Sequence, residues 1–543
     1  MALTKATHRM IDGASVNVKD FGAVGDGVTD DTVAIQAAID SLPVSTSVND
    51  PSKYGTGGGT VLLPIGTFKI SSPITVYHNI TLKGAGKNSS VIQVTGNIDA
   101  IQIKYNYTLL NDYTVGGVSL EGFKIDGSTT AEAGITNRSG SDSYPISNCK
   151  FSSIDITGCK VGMHLFGGWN NSFREIHISA EDYNSATSEG IVGFIAETVS
   201  LSSTYGPSGH TVTAQGGSGG FNNNLFDTVV ILYMKRIGMH IRAVSTSHSY
   251  TNTFLNCNFE QILKQATPQT YAPYTDTTVT PEGESLATLK WQGEAVGVHL
   301  LGRTAGVLIQ TCYFEAIQDK DDVNNEGGVG VVFDDVGVEF AAGASKSYRN
   351  LITTNFFNAN VERTVNFGRC DDCTLICNAV LKNTTGSNAG YLVDTDASHI
   401  EFIGESTGNI DSSSSDNYSW MSSVSGLGLK TPKAGTVGTS ITVDVGATPG
   451  IEFYRDGGSA NFSAIKFNNS DNSTNYAQIG FNTNELRLEG TNVASLHAAS
   501  GEKLRVNSTT GATGGTGSAG AGNQYVELNI AGVRYKLLHD GTI

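Results

Sequence analysis

Apolar positions in this chain come in short bursts rather than long runs. Val16 and Val18 alternate with polar neighbours, as in a short strand, and GAVGDG after them reads as a turn. From Thr29 the period changes. Ile35, Ala38, Ile39 and Leu42 recur at helical spacing and make one apolar face. Thr29 stands where this helix needs an N-cap, Asp30 and Asp31 put negative charge in its first turn, and Pro43 stops it. Period two then returns. GGGTVLLPIGTFKI predicts strands over 60–63 and 66–70 around a Pro-Ile-Gly turn, and ITVYHNITLKGAG continues the pattern.

Between about residues 90 and 410 the pattern repeats. FSSIDIT (from Phe151), FREIHIS (Phe173), FDTVVIL (Phe226), FLNCNFE (Phe254), LIQTCYFE (Leu308) and LITTNFFN (Leu351) align by eye. A second short strand often follows: VGMHLFG, IGMHIRA, VGVHLLG and VGVVFDD. Strand-like units at the period of a solenoid coil mean stacked repeats, each contacting only its neighbours. No strand–helix alternation is present, so a doubly wound sheet or (β/α)₈ barrel is not expected. A polar span over 411–430 reads as a linker, and short strands resume after it.

Composition narrows the class. The 543 residues exceed one compact domain. Only 16% are charged and 65 are glycine, which disfavours helical bundles, while 39% hydrophobic residues suffice for a core. A net charge of −17 disfavours nucleic acid as a partner. No apolar run is long enough for membrane insertion. The opening MALTKATHRMIDG carries no signal-like apolar stretch. The 7 cysteines are scattered, and Cys370, Cys373 and Cys377 lack a fourth ligand at metal-site spacing, so they are expected as buried free thiols.

The run DFGAVGDGVTDDTVAIQAAID followed by GGGTVLLPIGTFKI resembles the entry to the pectate-lyase-like β-helix of bacteriophage tailspikes and related polysaccharide enzymes. The resemblance implies an all-β, right-handed parallel β-helix, a short N-terminal capping helix, and a smaller C-terminal β domain. It divides the chain into an attachment peptide (1–15), the β-helix entry (16–90), the solenoid (91–410), a linker (411–430) and a C-terminal domain for trimerisation or carbohydrate binding (431–543). It further implies a homotrimer in a phage tail, bound through its N-terminus to another tail or baseplate protein and acting on bacterial surface polysaccharide outside the cell. Asp26, Asp30 and Asp31 read as capping and turn residues, since hydrolases and lyases share this motif.

Stacked repeats put equivalent residues in columns, with adjacent coils about 4.8 Å apart. Phe259, Phe314 and Phe357 point inward, and Cys257, Cys312 and Asn355 form a second inward column. The next position outward reads Thr157, Ser179, Leu232, Glu260, Glu315, Asn358. Glu260 and Glu315 are thus paired carboxylates on neighbouring coils, whose mutual repulsion favours protonation of one, as a general acid requires. The alternative is a solvated surface ladder. Each precedes an excursion, over 261–294 and 316–328, and such loops would wall a groove. The longer one carries Tyr271, Tyr274 and Trp291, whose flat faces suit sugar rings or pack the loop on itself. Tyr313 lies beside Glu315.

A second set lies on the following strand. Asp334 aligns with Leu301 and Arg242, as a partner for Glu315 or as a turn residue. His164, His240 and His299 share a column, structural or touching substrate. Tyr313, His240, Arg242 and His299 join the aromatic residues as candidate substrate contacts. Asp371 and Asp372 read as a turn. No calcium loop or Arg/Lys-rich strand is present, which disfavours pectin cleavage, and no nucleophile elbow suggests serine catalysis. No metal and no cofactor are expected. The leading expectation is endo-glycosidic hydrolysis of capsule or O-antigen by Glu260 and Glu315. The alternatives are a polysaccharide lyase and a non-catalytic adhesin.

Overall fold

The structure is a computed structural model describing residues 15–43, 57–104 and 115–421, apart from 140–141, 144, 182–189, 199–219, 244–247, 265–294, 320–327, 335–346, 359–362, 369, 381–390, 394–396, 398, 404–409 and 412–417; beyond 421 it describes 463–468, 475–482, 485–490, 524–530 and 533–539. The chain divides into two units, Met1–Gly438 and Thr439–Ile543.

The first unit is a parallel β-helix. Its repeat is clearest where Val230–Leu232, Asn258–Glu260, Tyr313–Glu315 and Phe356–Phe357 stack in parallel. Three further stacks run beside this one around the coil. Short strands such as Ser249–Tyr250, Thr304–Ala305 and Ser347–Tyr348 form the first. Thr253–Leu255, Leu308–Gln310 and Leu351–Thr353 form the next. The longer Val192–Glu197, Ile237–Ala243, Ala295–Gly302 and Gly328–Asp334 complete the coil. Tyr418–Met421 still pairs with Ile400–Ile403, so the stack extends into the span expected as a linker.

Corners between stacks are single residues in the left-handed region. Ser153, Glu175, Thr228, Asn256, Thr311, Thr354 and Cys377 hold φ between 51° and 57° at one corner. Asn256 donates its amide to Gln310 on the next coil, Thr311 to Thr353, and Thr354 to Ile376. Non-glycine residues rarely adopt this conformation. Here the hydrogen bond from the backbone N–H to the next coil holds Asn256, Thr311 and Thr354 there. Cys377 is therefore exposed at a corner, against the expectation of a buried thiol, while the other six cysteines are buried.

The interior is a set of columns. Phe151, Phe173, Phe226 and Phe254 stack face to face at 4.7–4.8 Å. Phe259, Phe314 and Phe357 do the same at 5.2 and 4.6 Å. Buried asparagines close turns by bonding coil to coil, Asn171 to Asn224 and Asn224 to Asn252, each at 2.9 Å. Cys257, Cys312 and Asn355 are buried, as their alternation predicts.

At the N-terminal end the helix Thr32–Asp40 buries Ile35, Ala38, Ile39 and the following Leu42. It starts later than the sequence suggests. Thr29 lies in the strand Asp26–Asp30, and Asp31 occupies the N-cap position. The reason is that the acidic side chains are drawn elsewhere. Asp31 accepts the amides of Val24 and Gly25 and ties down the GAVGDG turn. Asp30 accepts the amide of Thr32, and Asp26 those of Val28 and Thr29.

The second unit contains an antiparallel three-stranded sheet, Ser463–Asn468, Asn475–Asn482 and Glu485–Gly490, and a hairpin of Gln524–Ile530 with Val533–His539.

The V-G and I-G steps of the second-strand repeats have a steric cause. Gly162, Gly193, Gly238, Gly297 and Gly330 stack on one another, and a side chain at any of them would strike the next coil. A Cβ on Gly297 would lie 2.6 Å from the Gly330 carbonyl oxygen and 2.9 Å from Ile317 and Phe314. Gly297→Ala should therefore cost about 1–3 kcal/mol. Denaturant unfolding of the variant checks this, and an unchanged midpoint refutes it.

Candidate active site

The outward column anticipated from sequence exists as a register column. Asp126, Thr157, Ser179, Leu232, Glu260 and Glu315 are successive partners across parallel strands. Asn358 continues the column, its amide bonded to Phe314 of the coil before. Glu260 and Glu315 are half-buried, each at the last position of its strand. Both strands end in a left-handed corner, Gln261 and Ala316. This corner turns the chain away and leaves the carboxylates at the rim of the face.

Each carboxylate is held by neighbours. Asn258, two residues before Glu260 on the same face, donates to it through Nδ2. Tyr313 occupies the matching place before Glu315 and donates its hydroxyl to Oε2 at 2.7 Å. Asn358 donates to Glu315 Oε1 at 3.0 Å and to the Tyr313 hydroxyl at 3.2 Å. The bond to Glu315 and partial burial raise the pKa of Tyr313, so its proton is held more tightly than in a free phenol. Its ring stacks on Phe356 at 5.5 Å. The arrangement offers two acids at one strand spacing, one of them fixed as an acceptor by two donors. That geometry suits proton transfer to a bound glycosidic oxygen or from a bound water.

The remaining sequence-derived residues fall on another face. His240 and His299 lie on the long-strand stack, where their rings stack at 4.7 Å and both are buried. His164 shares their column, with Ile195 between. Arg242 is buried and lies 3.6 Å from Glu197. Glu197 accepts His164 Nε2 at 2.8 Å. Burial alone would raise the pKa of Glu197, but the hydrogen bond and charge of His164 and the charge of Arg242 outweigh it and lower it. Asp334 follows Leu301 at the end of its strand, in the column of Glu197 and Arg242 rather than that of Glu315. Tyr271, Tyr274 and Trp291 lie outside the described residues. Asp371 and Asp372 do lie at a corner, and with His399 they form a group whose donor atoms lie within 4.8 Å of one another.

Sequence reading missed Asn258 and Glu197, and it placed Asn358 in the column without its role as a donor. Asn258 and Asn358 carry no charge and stand out only once the register is known. Glu197 sits on VGFIAE, whose V-G step marks it as a coil strand, but Ile195 replaces the histidine that drew the eye to its neighbours.

The buried histidines make stability depend on pH. Burial lowers the pKa of His299 to about 3 and drives that of His240 well down, helped by the His299 and Arg242 charges. An unfolded histidine titrates near 6.5, so below that pH the unfolded chain takes up protons that the folded chain refuses. Stability should fall as pH drops from about 6.5 towards 3, by about 1.4 kcal/mol per pH unit for each histidine. Glu197, with its lowered value, adds a loss at more acidic pH. Melting curves from pH 7 to 4 measure the slope. His299→Val, which copies Val332 of the same column, should flatten it; an unchanged slope refutes the assignment.

A family model described as rhamnogalacturonase A/epimerase, pectate lyase-like, matches residues 15–271. Mannuronan C5-epimerase AlgE5 of Azotobacter vinelandii is 43% identical over 90 residues, 15% of this chain and 8% of that protein. The preneck appendage protein of Bacillus phage PZA is 31% identical over 147 residues, 26% of this chain and 14% of that protein. The chain therefore spans only a small part of the curated relatives it matches. Among solved structures, ORF18 of Geobacillus virus E2 aligns with a TM-score of 0.46 at 19% identity, covering 96% of this chain and 86% of that one. The family-model match makes residues 15–271 pectate-lyase-like in sequence, and the coils described above give the chain the parallel β-helix that goes with that likeness.

Proposed function

We propose that the chain is a phage tailspike depolymerase that cuts a bacterial surface polysaccharide by endo-glycosidic hydrolysis, with Glu260 and Glu315 as the acid–base or nucleophilic pair. The observation that carries this reading is the pair itself: two half-buried carboxylates in register on adjacent coils, with hydrogen-bond donors aimed at both. One strand spacing, about 4.8 Å, approaches the separation of about 5–5.5 Å used by retaining enzymes. The partial likeness to a phage appendage protein supports a virion location. In this reading the N-terminus attaches the chain to another tail or baseplate protein. In this reading the residues of the second unit help to join three chains. The epimerase likeness over 90 residues supports a second reading, a lyase, because epimerisation at C5 and β-elimination both begin by removing the proton beside a uronate carboxylate. Tyr313 and Glu315 would then share that proton transfer.

Purified chain incubated with capsule or O-antigen separates these readings. Hydrolysis releases reducing ends alone, elimination adds an ultraviolet-absorbing unsaturated uronate, and an adhesin leaves polymer viscosity unchanged. Glu260→Gln and Glu315→Gln should each lower turnover by about 10²–10⁴-fold. Melting temperature should hold or rise slightly, since the change relieves like-charge repulsion between coils. Near wild-type turnover in both variants would return the column to a surface ladder. In light scattering the protein should give three times the chain mass of 57.0 kDa; a single-chain mass refutes the trimer.

A further inference from the structure

We propose a second polysaccharide-binding strip, for an acidic glycan, on the stack of short strands. It rests on the polysaccharide reading above but not on the glutamate column, from which it is separated by one strand around the coil. Each coil presents one outward residue there. Ser147, Trp169 and Asn222 are register partners, as are Tyr250, Ala305, Tyr348 and Asp371. Asn222 joins the two sets through its Oδ1, which accepts the Tyr250 amide.

Aromatic residues recur on every second coil of this column: Trp169, Tyr250 and Tyr348. Two coils are about 9.6 Å, twice the strand spacing. Between them lie the shorter Asn222 and Ala305; the two tyrosines lean together over the buried Ala305, with their hydroxyls 3.5 Å apart. All three aromatic side chains are half-buried rather than packed away. Tyr250 and Tyr348 meet at 69° with centroids 6.5 Å apart, so they present a cleft rather than a stack. His248 backs Tyr250 at 4.8 Å. Half-buried aromatic side chains spaced along a rigid axis offer apolar surface to an extended sugar chain.

Charge selects the kind of sugar. The whole chain carries −17, yet guanidinium groups flank the two tyrosines. Arg303 lies close enough to lower the pKa of His248 alongside the effect of its burial, and its charge also bears on Tyr250. Arg349 is exposed at the corner that follows Tyr348. Guanidinium groups pair with carboxylates through directed, charge-assisted bonds. On the next coil Asp371 and Asp372 reverse the sign, which sets the end of the strip for an anionic chain. At the other end the exposed amides of Asn170 and Asn223, bonded to each other, continue a polar edge.

Affinity electrophoresis of the full chain through gels containing polymannuronate or neutral dextran tests the strip. Polymannuronate should retard the wild type more than dextran does. Tyr250→Ala with Tyr348→Ala should weaken this roughly tenfold, as expected for two lost aromatic contacts. Arg349→Gln should weaken it roughly fivefold at low salt and little at high salt, where exposed charges are screened. Gln261 already holds the same left-handed corner conformation, so Arg349→Gln keeps the test alive if the tyrosine variant misfolds. Variants that bind like the wild type overturn the strip and leave the polysaccharide reading standing. Equal retardation by both polymers overturns the acidic specificity. Retardation by neither overturns the strip and leaves the polysaccharide reading to the capsule and O-antigen assay. Unchanged binding with a lower mass in light scattering makes this face a contact between copies and overturns the proposal.

Discussion

The carbonyl of Glu260 accepts the amide of Tyr233 from the coil before it, and the carbonyl of Glu315 accepts that of Gln261. Bonds of this kind join every pair of neighbouring coils, and the other features follow from their register. A slip of one residue would send Phe259 outward and Glu260 into the core. The register therefore fixes which side chains stack and at what spacing. It converts a position in a repeat into a place on a face.

The ladder also imposes costs that other residues offset. A coil that turns at single-residue corners must hold threonine, asparagine or glutamine in a conformation they rarely adopt. Interior turns leave amides and carbonyls that would be orphaned without Asn171, Asn224 and Asn252, whose side chains satisfy them coil by coil. Where the long strands pass over the inward phenylalanine and isoleucine side chains, only glycine leaves enough space. The apolar stacks supply most of the stabilisation, and these polar and glycine columns restrict it to one register.

Much of this was legible in the sequence. Phenylalanine repeats gave the coil, and alternation gave the inward and outward sides, so the column from Thr157 to Asn358 could be written down residue by residue. The helix face was legible because Ile35, Ala38, Ile39 and Leu42 obey one period. Its start was not, because the three neighbouring aspartates take different amides, and which takes which depends on Val24, Gly25 and the turn geometry. Corners were invisible, since Thr311, Cys377 and Gln261 carry no signal for φ above zero. The buried His164–Glu197–Arg242 group was missed because its members come from three coils of unequal length, and only the register brings them together.

Stability alone gives a poor account of the glutamate pair. Like charges directly opposite each other in a sheet are unfavourable, and the same column accepts Thr157, Ser179, Leu232 and Asn358 on other coils. Nothing in the coil geometry requires an acid at Glu260 or at Glu315. The packing that holds this stack lies on its other side, in Phe259, Phe314 and Phe357. Yet the neighbours of the pair are arranged towards it. Asn258 and Tyr313 are one register pair, Asn358 follows Glu315, and all three donate to the two carboxylates. A local cost surrounded by oriented donors is where fold consistency gives way to another requirement. On a rigid solenoid such a requirement can be met without disturbing the fold, because the two carboxylates face outward and the groups that pack face inward.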